Sequence, residues 1–443
     1  MATETAWHGP GRKSVGGAAL LRHRPFLLYF WARGFSEFSH TIAAVAIGWQ
    51  IYALTDSAFD LGMVGLTQFV PTALLTFVAG HAADRYDRRR VLQLCQLIAG
   101  LTAAILAWGA IAGWSTAPEI FAAVAVLGAV TAFESPAAAA LLPGVAPEGR
   151  LQKATALSTA ASQFAVVGGP ALGGFAYAAA PGAPYAVMAA CWLAAAILNG
   201  GIALARPIWT EPPPLAELFA GVGFVRRNPT ILGTISLDLF AVLLGGATAL
   251  MPIYARDILH TGPWGLGLLR AAPAAGALLT TAVLSRHTID RRVGLRMFQA
   301  VILFGAATMV FALSQWIWLS LLALAVMGAA DAVSMVIRIS LVQLAAPADM
   351  RGRVGAVNFL FVNASGELDE FESGMTAALF GAMPAAALGG LGTIAVALLW
   401  MRLFPAQRDV DRLAVTKEKR IDRSGLMQRL EQLCFRAVGS APG

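Results

Sequence analysis

The amino-acid sequence predicts an all-α membrane protein with about twelve transmembrane helices. The chain of 443 residues is 58% hydrophobic and only 13% charged, whereas a typical globular domain carries about 25% charged residues. A helix needs about 20 apolar residues to cross a bilayer, and apolar stretches of that length recur from Phe26 to Phe404. A membrane β-barrel would require alternating apolar and polar residues, and runs such as residues 300–313 do not alternate.

Prolines, glycines and charge clusters divide the apolar sequence into twelve predicted spans. The first six are 26–53, 58–81, 90–112, 118–142, 152–179 and 184–205. The second six are 230–255, 263–285, 294–314, 316–342, 354–380 and 384–404. We therefore predict two six-helix bundles, at residues 25–205 and 230–404, with an N-terminal segment 1–24, a link 206–229 and a tail 405–443.

Lysine and arginine collect in the connections on one side of the predicted membrane, and Arg256 is the one clear exception on the other side. The positive-inside rule then places both termini and the link in the cytoplasm. Because this topology accounts for the net charge of +7, a nucleic-acid partner is not predicted. The basic connections contain Arg22, Arg24, residues 85–90, Arg150, Lys153, residues 206–227, residues 286–296, Arg351 and Arg353.

The two halves match each other at several positions in the same order. Residues 65–91 align with residues 267–293, and this alignment pairs Gly65 with Gly267. A collinear set of matches that includes basic loop positions indicates a duplicated unit. Parallel repeats joined by a link predict a substrate site between the halves, near the middle of the membrane, that is exposed to each side in turn.

The connection between the second and third spans carries the strongest local motif, GHAADRYDRRR at residues 80–90. It resembles the loop signature of the major facilitator superfamily, Gly-x-x-x-Asp-Arg-x-x-Arg-Arg. The glycine permits close helix packing, and the aspartate can accept hydrogen bonds from an arginine or a helix end, forming a cytoplasmic latch that separates when the halves rock. The alternative is an ordinary basic loop. The matching residues are Gly80, Asp84, Arg85, Arg88 and Arg89.

A second motif, VVGGPALGG at residues 166–174, lies on the fifth predicted span. It resembles the Gly-Pro-x-x-Gly-Gly signature of exporters in the same superfamily. The missing backbone donor of proline and the smooth surface of the glycines predict a hinge with close packing. The alternative is that glycine and proline are simply common in membrane helices. The motif residues are Gly169, Pro170, Gly173 and Gly174.

Nearly the whole chain, from about Pro25 to Leu403, is similar to the bacterial branch of this superfamily that includes the enterobactin exporter. The resemblance implies the major facilitator fold in a bacterial cytoplasmic membrane, a monomer without a cofactor, and export of a small amphipathic molecule such as a siderophore or a drug. One departure lies at residues 133–136, Phe-Glu-Ser-Pro, where many proton-coupled antiporters of the superfamily carry a buried arginine. Coupling through that arginine is therefore not expected here.

Ionisable residues inside predicted spans are candidates for the substrate or proton pathway, because they are costly in the membrane. Arg33 and Glu37 are one helical turn apart, so they form either a pair that releases when a proton arrives or a permanent ion pair. Glu134 either carries a proton or faces a wet cytoplasmic vestibule. The candidates are Arg33, Glu37, His40 and Glu134 in the first half, and Asp238, Arg270, Asp331, Arg338, Glu367 and Glu370 in the second.

Spacing along the helices adds two expectations for the second half. Asp331 and Arg338 are seven residues apart, so they share a face but are expected to be too distant for a direct bond, and each then needs a partner elsewhere. On the eleventh span, Glu367 and Glu370 share a face with Gly374, while Asp369 and Glu372 point the other way. This segment either forms an acidic outward-facing mouth or pairs with arginines.

The motifs that are absent narrow the function further. No nucleotide-binding motif of the Gly-x-x-x-x-Gly-Lys-Ser/Thr type occurs, so a membrane gradient, most simply of protons, is the expected energy source. The three cysteines lack metal-ligand spacing, so no metal site is predicted. The principal hypothesis is proton-coupled export. The alternatives are a nutrient uptake permease and, less favoured, a lipid scramblase or membrane enzyme, since no constellation suited to catalysis is present.

Overall fold

The computed structural model describes residues 20, 22–203, 222–287, 291–347 and 350–411. The predicted N-terminal segment up to residue 19, most of the link and the tail beyond residue 411 lie outside these ranges. Within them the chain forms twelve long helices and no strand. The helices are α1 Arg24–Thr55, α2 Ala58–Arg85, α3 Arg88–Ala112, α4 Ala117–Val145, α5 Leu151–Ala179, α6 Ala183–Gly200, α7 Pro229–Gly245, α8 Gly262–Leu284, α9 Val293–Leu313, α10 Ile317–Ala345, α11 Arg351–Phe380 and α12 Ala382–Leu403.

Helix boundaries follow local chemistry. Ser57 accepts a hydrogen bond from the backbone of Asp60 at the start of α2, and Asn228 caps the first amides of α7 in the same way. The α3 helix ends at Gly113, whose φ of 77° is the left-handed conformation that glycine adopts without strain. Each long helix therefore begins or ends close to where the sequence predicts a break.

One predicted span is broken. The sequence predicts a continuous helix over residues 230–255, but α7 ends at Gly245, and helical structure resumes only at Met251–Ile253 and a π-helical turn, Tyr254–Ile258. The break begins at two consecutive glycines, which have low helix propensity. Gly246 there has an extended backbone, with φ −67° and ψ 107°.

The outer surface suits a bilayer. Eight of the described helices are long and apolar enough to cross a membrane. Large apolar side chains such as Ile111, Ile197, Leu279 and Leu379 project from the bundle with about two thirds or more of their surface exposed. Such a surface would favour aggregation in water but is compatible with lipid tails. The chain is therefore a multi-pass membrane protein.

The helices pack as two bundles with the same internal arrangement. In the first, α1 packs on α5 and α6, α2 packs on α4, and α3 packs on α4 and α6. In the second, α7 packs on α11 and α12, α8 packs on α10, and α9 packs on α10 and α12. Each contact in one half has its counterpart six helices later. The predicted pseudo-symmetric pair of six-helix bundles is confirmed.

The halves meet along two seams, α2 against α11 and α5 against α8. Glycines make both seams close. A Cβ atom on Gly62 would lie 3.0 Å from Cα of Gly374, and one on Gly174 would lie 2.8 Å from Cα of Gly267. Both pairs lie toward the end of the bundle where α1 finishes and α2 begins, which we call the closed end. The opposite end, where α1 begins, is the basic end.

The apolar core shows the same asymmetry. At the closed end, one cluster of buried residues joins the halves, because Ile47 and Ile51 of α1 belong to the same cluster as Met251 and Leu266. Toward the basic end, the first half has its own cluster, and the second half has two others. Among the described residues, the apolar core that the halves share therefore lies at the closed end.

Candidate functional site

A buried polar cluster centres on Glu134 of α4, whose exposed fraction is 6%. Its Oε1 accepts hydrogen bonds from Ser36 Oγ at 2.5 Å and from Gln96 Nε2 at 3.1 Å. Its Oε2 lies 3.1 Å from His40 Nε2. Gln96 is held in turn by Asn199, whose Nδ2 donates to the glutamine Oε1 at 2.8 Å. Four helices, α1, α3, α4 and α6, thus position one carboxylate.

The chemistry of this Glu134 cluster depends on its partners. The described contacts of Glu134 come from a hydroxyl, an amide and an imidazole, and neither lysine nor arginine is among them. The described contacts therefore place no permanently charged cation beside the carboxylate. His40 is the more exposed member, with 29% of its side chain accessible, and its ring packs edge-on against Trp192. Its imidazole can carry protons between its exposed face and the buried carboxylate.

The predicted pair of Arg33 and Glu37 is present. Arg33 Nη2 lies 2.6 Å from Glu37 Oε1, with 30% and 24% of the two side chains exposed. The pair lies on α1 nearer the basic end than the Glu134 cluster. Because the structure is a single state, the choice between a releasing pair and a permanent one stays a prediction.

In the second half, Arg338 of α10 bridges two carboxylates. Its Nη1 lies 2.7 Å from Asp238 Oδ1 on α7, and its Nη2 lies 3.3 Å from Asp331 Oδ1. The expectation that Asp331 and Arg338 are too distant to bond is wrong. The long arginine side chain points toward the N-terminus of its helix, as helical side chains do, and so it reaches back over two turns.

This bridge borders a small cleft between α7, α9 and α10. Its polar wall is formed by Asp331, Ser334 and Arg338. Its apolar wall includes Val301 and Phe304. Ser334 is buried, and its hydroxyl has no hydrogen-bond partner among the described residues. The second half therefore presents a partly neutralised acidic group beside an apolar surface.

Removing the arginine of this bridge is expected to destabilise the protein. Arg338→Gln leaves Asp238 buried without its counter-charge, which costs about 3–5 kcal/mol for a buried pair. Thermal unfolding of detergent-purified protein should show a lower midpoint. The double variant Arg338→Gln/Asp238→Asn should recover part of the loss, because it removes the uncompensated charge. Arg402→Gln, at an exposed position on α12, is the matched control, and an equal loss there would contradict the assignment.

The acidic residues of α11 divide between two surroundings. Glu370 lies against Gly65 of α2 and its Oε1 is 4.0 Å from Arg270 Nη2, while the backbone of Glu367 also lies against Gly65. Both therefore lie at the seam between the halves, and Glu370 follows the predicted pairing with an arginine. Asp369 faces away from this seam, as the helical spacing predicts.

The loop motif stays within the first half where its contacts are described. Arg88 Nη1 donates to the carbonyl of Ala140 at 3.0 Å, and Arg89 Nη1 donates to the carbonyl of Ile202 at 2.5 Å. Arg89 also binds Asp87, and its hydrogen bonds hold the pKa of that carboxyl below its usual range. Arg85 is exposed. The side chain of Asp84 lies outside the described residues.

The close helix packing predicted at Gly80 is absent from the described structure. No described atom outside its own helix lies within 4 Å of a Cβ placed there, so the close packing predicted for it is not formed in this conformation. The reason is that the shared apolar core lies at the closed end, away from this glycine. The latch between the halves therefore stays a prediction.

The glycine-proline motif forms a packing surface. Gly169 lies against Thr41 and Gly173 against Ile42, both on α1, while Gly174 faces Gly267 of the other half. The helix α5 continues from Leu151 to Ala179 through Pro170 without a break. The motif thus brings α1 and α8 close to α5, and hinge motion at this position stays a prediction.

A polar cluster at the closed end was not predicted. Arg256 Nη1 lies 3.3 Å from Asp56 Oδ1 and donates to the carbonyl of Tyr52 at 3.0 Å, which joins the second half to α1. The Tyr52 hydroxyl donates to the Asp257 carboxylate, and the Arg256 guanidinium lies 5.2 Å from the Tyr52 ring centre. The exceptional position of Arg256 on the side with little positive charge was the signal in the sequence.

Two similar six-helix bundles, buried ionisable clusters in both halves and a seal across one end define a membrane transporter fold. The chain belongs to the major facilitator superfamily, whose family model matches residues 29–368. This is a family of transporters rather than enzymes.

Known proteins similar to this chain agree with that membership. The multidrug efflux pump Tap of Mycolicibacterium fortuitum is 30% identical over 362 residues, which cover 78% of this chain and 87% of Tap. The enterobactin exporter EntS of Citrobacter koseri is 26% identical over 394 residues, covering 87% and 92%. A solved bacterial homolog of the human lysosomal transporter Spinster, inward-facing and unoccupied, superposes with a TM-score of 0.68 at 14% identity, covering 87% of this chain and 96% of that one. The last likeness concerns the fold alone.

Proposed function

We propose that this protein exports small amphipathic compounds, siderophore-like or drug-like, in exchange for protons. The observation that carries the proton part is the Glu134 cluster. A buried carboxylate held by a hydroxyl, an amide and an imidazole binds a proton more readily than one paired with arginine. Its position on α4, in contact with α1, puts this exchange inside the first bundle.

The direction of transport is proposed from two features. The exporter-type motif lies on α5 at the seam with α8, and the relatives Tap and EntS are described as an efflux pump and an exporter. The positive-inside rule places the basic end and both termini in the cytoplasm of a bacterium. With that orientation, the present conformation is sealed on the outer side and receives its substrate from the cytoplasm.

The transport cycle follows from the seams. The halves separate at the closed end, which parts Gly62 from Gly374, Gly174 from Gly267, and Arg256 from Asp56. They then close at the basic end, where the loop motif provides the latch.

One chain contains both halves, so a monomer is the transporting unit. Substrate binds between Arg33 and Glu37 on one side and Asp331 on the other, where these side chains are partly exposed.

The proposal is tested by measuring accumulation of a fluorescent amphipathic dye in bacteria with and without the protein. Export predicts less dye inside the cells that make the protein, and a protonophore should abolish the difference. In proteoliposomes, an imposed pH gradient should drive dye movement in the direction opposite to the protons. More dye inside the cells would instead support the uptake permease, and a difference that survives the protonophore would contradict proton coupling.

A further inference from the structure

The second half contains a buried carboxylate that has no role in the proposed transport cycle. Asp369 of α11 is 6% exposed. Its carboxylate lies against the backbone of Gly246, and the hydroxyl of Ser373 lies 3.5 Å from its Oδ1. The same hydroxyl donates to the carbonyl of Gly246 at 2.7 Å. Asp369 and Ser373 therefore attach α11 to the point where the seventh span is broken.

The break in the seventh span lies directly against this carboxylate. A Cβ atom on Gly246 would overlap the Asp369 carboxyl group, so only glycine allows the two to approach this closely. The extended backbone of Gly246 ends α7 at this contact. Interrupted helices in transporters characteristically surround the ion-binding groups, because free backbone groups at the break can bind them.

The charges near Asp369 do not neutralise it. The ionisable groups of its own helix that lie near enough to act on it are Glu370 and Glu372, both acidic. No described basic side chain lies within 4 Å of its carboxylate. Arg270 is paired with Glu370, and Arg338 is paired with Asp238 and Asp331. On the helices packed against α11, the other ionisable residues are Asp60, His81, Asp84 and Arg85 of α2 and Arg402 of α12.

We propose that Asp369 is a second proton-binding residue, and that its protonation controls the contact between α11 and the break after α7. This inference rests on the proposed proton coupling. The carboxyl group takes one proton from the water of one side and later releases it to water on the other. In the buried contact the neutral carboxyl is favoured, because an ion without a counter-charge is costly there. Release of the proton therefore requires residues 246–250 to move away and admit water.

Glu134 and Asp369 are then proton-binding residues of different halves. The Glu134 cluster binds its proton within the first bundle, whereas Asp369 binds one at the interrupted helix of the second. Loss of either carboxylate should uncouple transport from the pH gradient. Only loss of Asp369 should alter the movement of the segment after Gly245.

The test compares wild type with Asp369→Asn in proteoliposomes containing the dye. Asparagine keeps nearly the size and shape of the aspartate side chain but cannot ionise. We expect dye transport driven by a pH gradient to fall by about tenfold or more, because the variant lacks an intramembrane carboxylate of the proton pathway. Dye exchange at equal pH on both sides should persist, because it needs no net proton movement. Glu372→Gln, on the same helix and bound to Thr376, is the matched control and should retain gradient-driven transport.

A second readout separates this inference from the proposed function. The infrared band of protonated carboxyl groups, followed against pH in purified protein, should contain a component that Asp369→Asn removes and Glu372→Gln keeps. Its absence in wild type, or undiminished gradient-driven transport in Asp369→Asn, would overturn the assignment. If wild type moves no dye under a pH gradient, the proposed function fails, and the infrared component alone decides whether Asp369 binds a proton. If the asparagine variant does not fold, Asp369→Glu should shift the pH at which this component titrates, and an unchanged pH would also overturn it.

Discussion

The variant Glu134→Gln is expected to lose gradient-driven dye transport by about tenfold or more, while the protein remains folded. Glutamine can still accept the hydrogen bonds from Ser36 and Gln96 through its oxygen, and its amide can donate to a neutral His40. The packing of four helices around this position is therefore retained. What is removed is the ability of residue 134 to bind and release a proton. The measurement is the initial rate of dye movement in proteoliposomes under an imposed pH gradient.

Two matched variants make this result specific. Glu119→Gln changes another glutamate of α4, which caps the helix start through the backbone of Thr116, and it should transport nearly as wild type does. Glu37→Gln tests the competing position on α1. If Glu37→Gln abolishes gradient-driven transport while Glu134→Gln does not, the coupling proton is carried by the pair of Arg33 and Glu37 instead of the Glu134 cluster.

The second large effect is expected from Gly374→Leu at the seam between α2 and α11. A Cβ atom there would overlap the backbone of Gly62, and backbone cannot move aside as a flexible side chain does. Overpacking typically costs about 1–3 kcal/mol, and about 1.4 kcal/mol changes a two-state population tenfold. The closed end should therefore be sealed in a much smaller fraction of molecules, and transport should fall accordingly.

Spin labels report this change directly. Cysteines at Ala112 and Gln315 place labels at the closed end of the two halves, in a chain whose three native cysteines have been replaced. The distance between the labels should lengthen in Gly374→Leu. Gly355→Leu is the control, because no described atom outside its own helix lies within 4 Å of a Cβ at that position of α11. An unchanged distance in Gly374→Leu would show that the glycine seam does not hold the closed end together.

The candidate site was predicted in part. Glu134 and His40 were both chosen from the sequence as ionisable residues in apolar spans, but their direct contact was not. Ser36, Gln96 and Asn199 were missed, because an uncharged polar residue in a span has many structural explanations. Gln96 lies 38 residues before Glu134 and Asn199 lies 65 residues after it. Helical periodicity carries no information over such separations.

The second half was predicted less well for a different reason. Helical spacing rules describe neighbours three and four residues apart, so they failed for Asp331 and Arg338, which meet through the length of the arginine side chain. The break after Gly245 was also missed, although its consecutive glycines were visible. Hydropathy continues across this point, and only the approach of Asp369 to Gly246 shows why the helix stops.

Helix content, the number of spans and the duplication of the halves were determined by the sequence itself. Each depends on local hydrophobicity or on similarity along the chain, and a bilayer leaves the helix as the simplest structure for such segments. Which polar groups meet, where the two halves touch and which end is sealed were decided only by the tertiary structure. Those properties depend on contacts between helices distant in sequence, such as Gly62 with Gly374 and Asp56 with Arg256, whose energies no single segment contains.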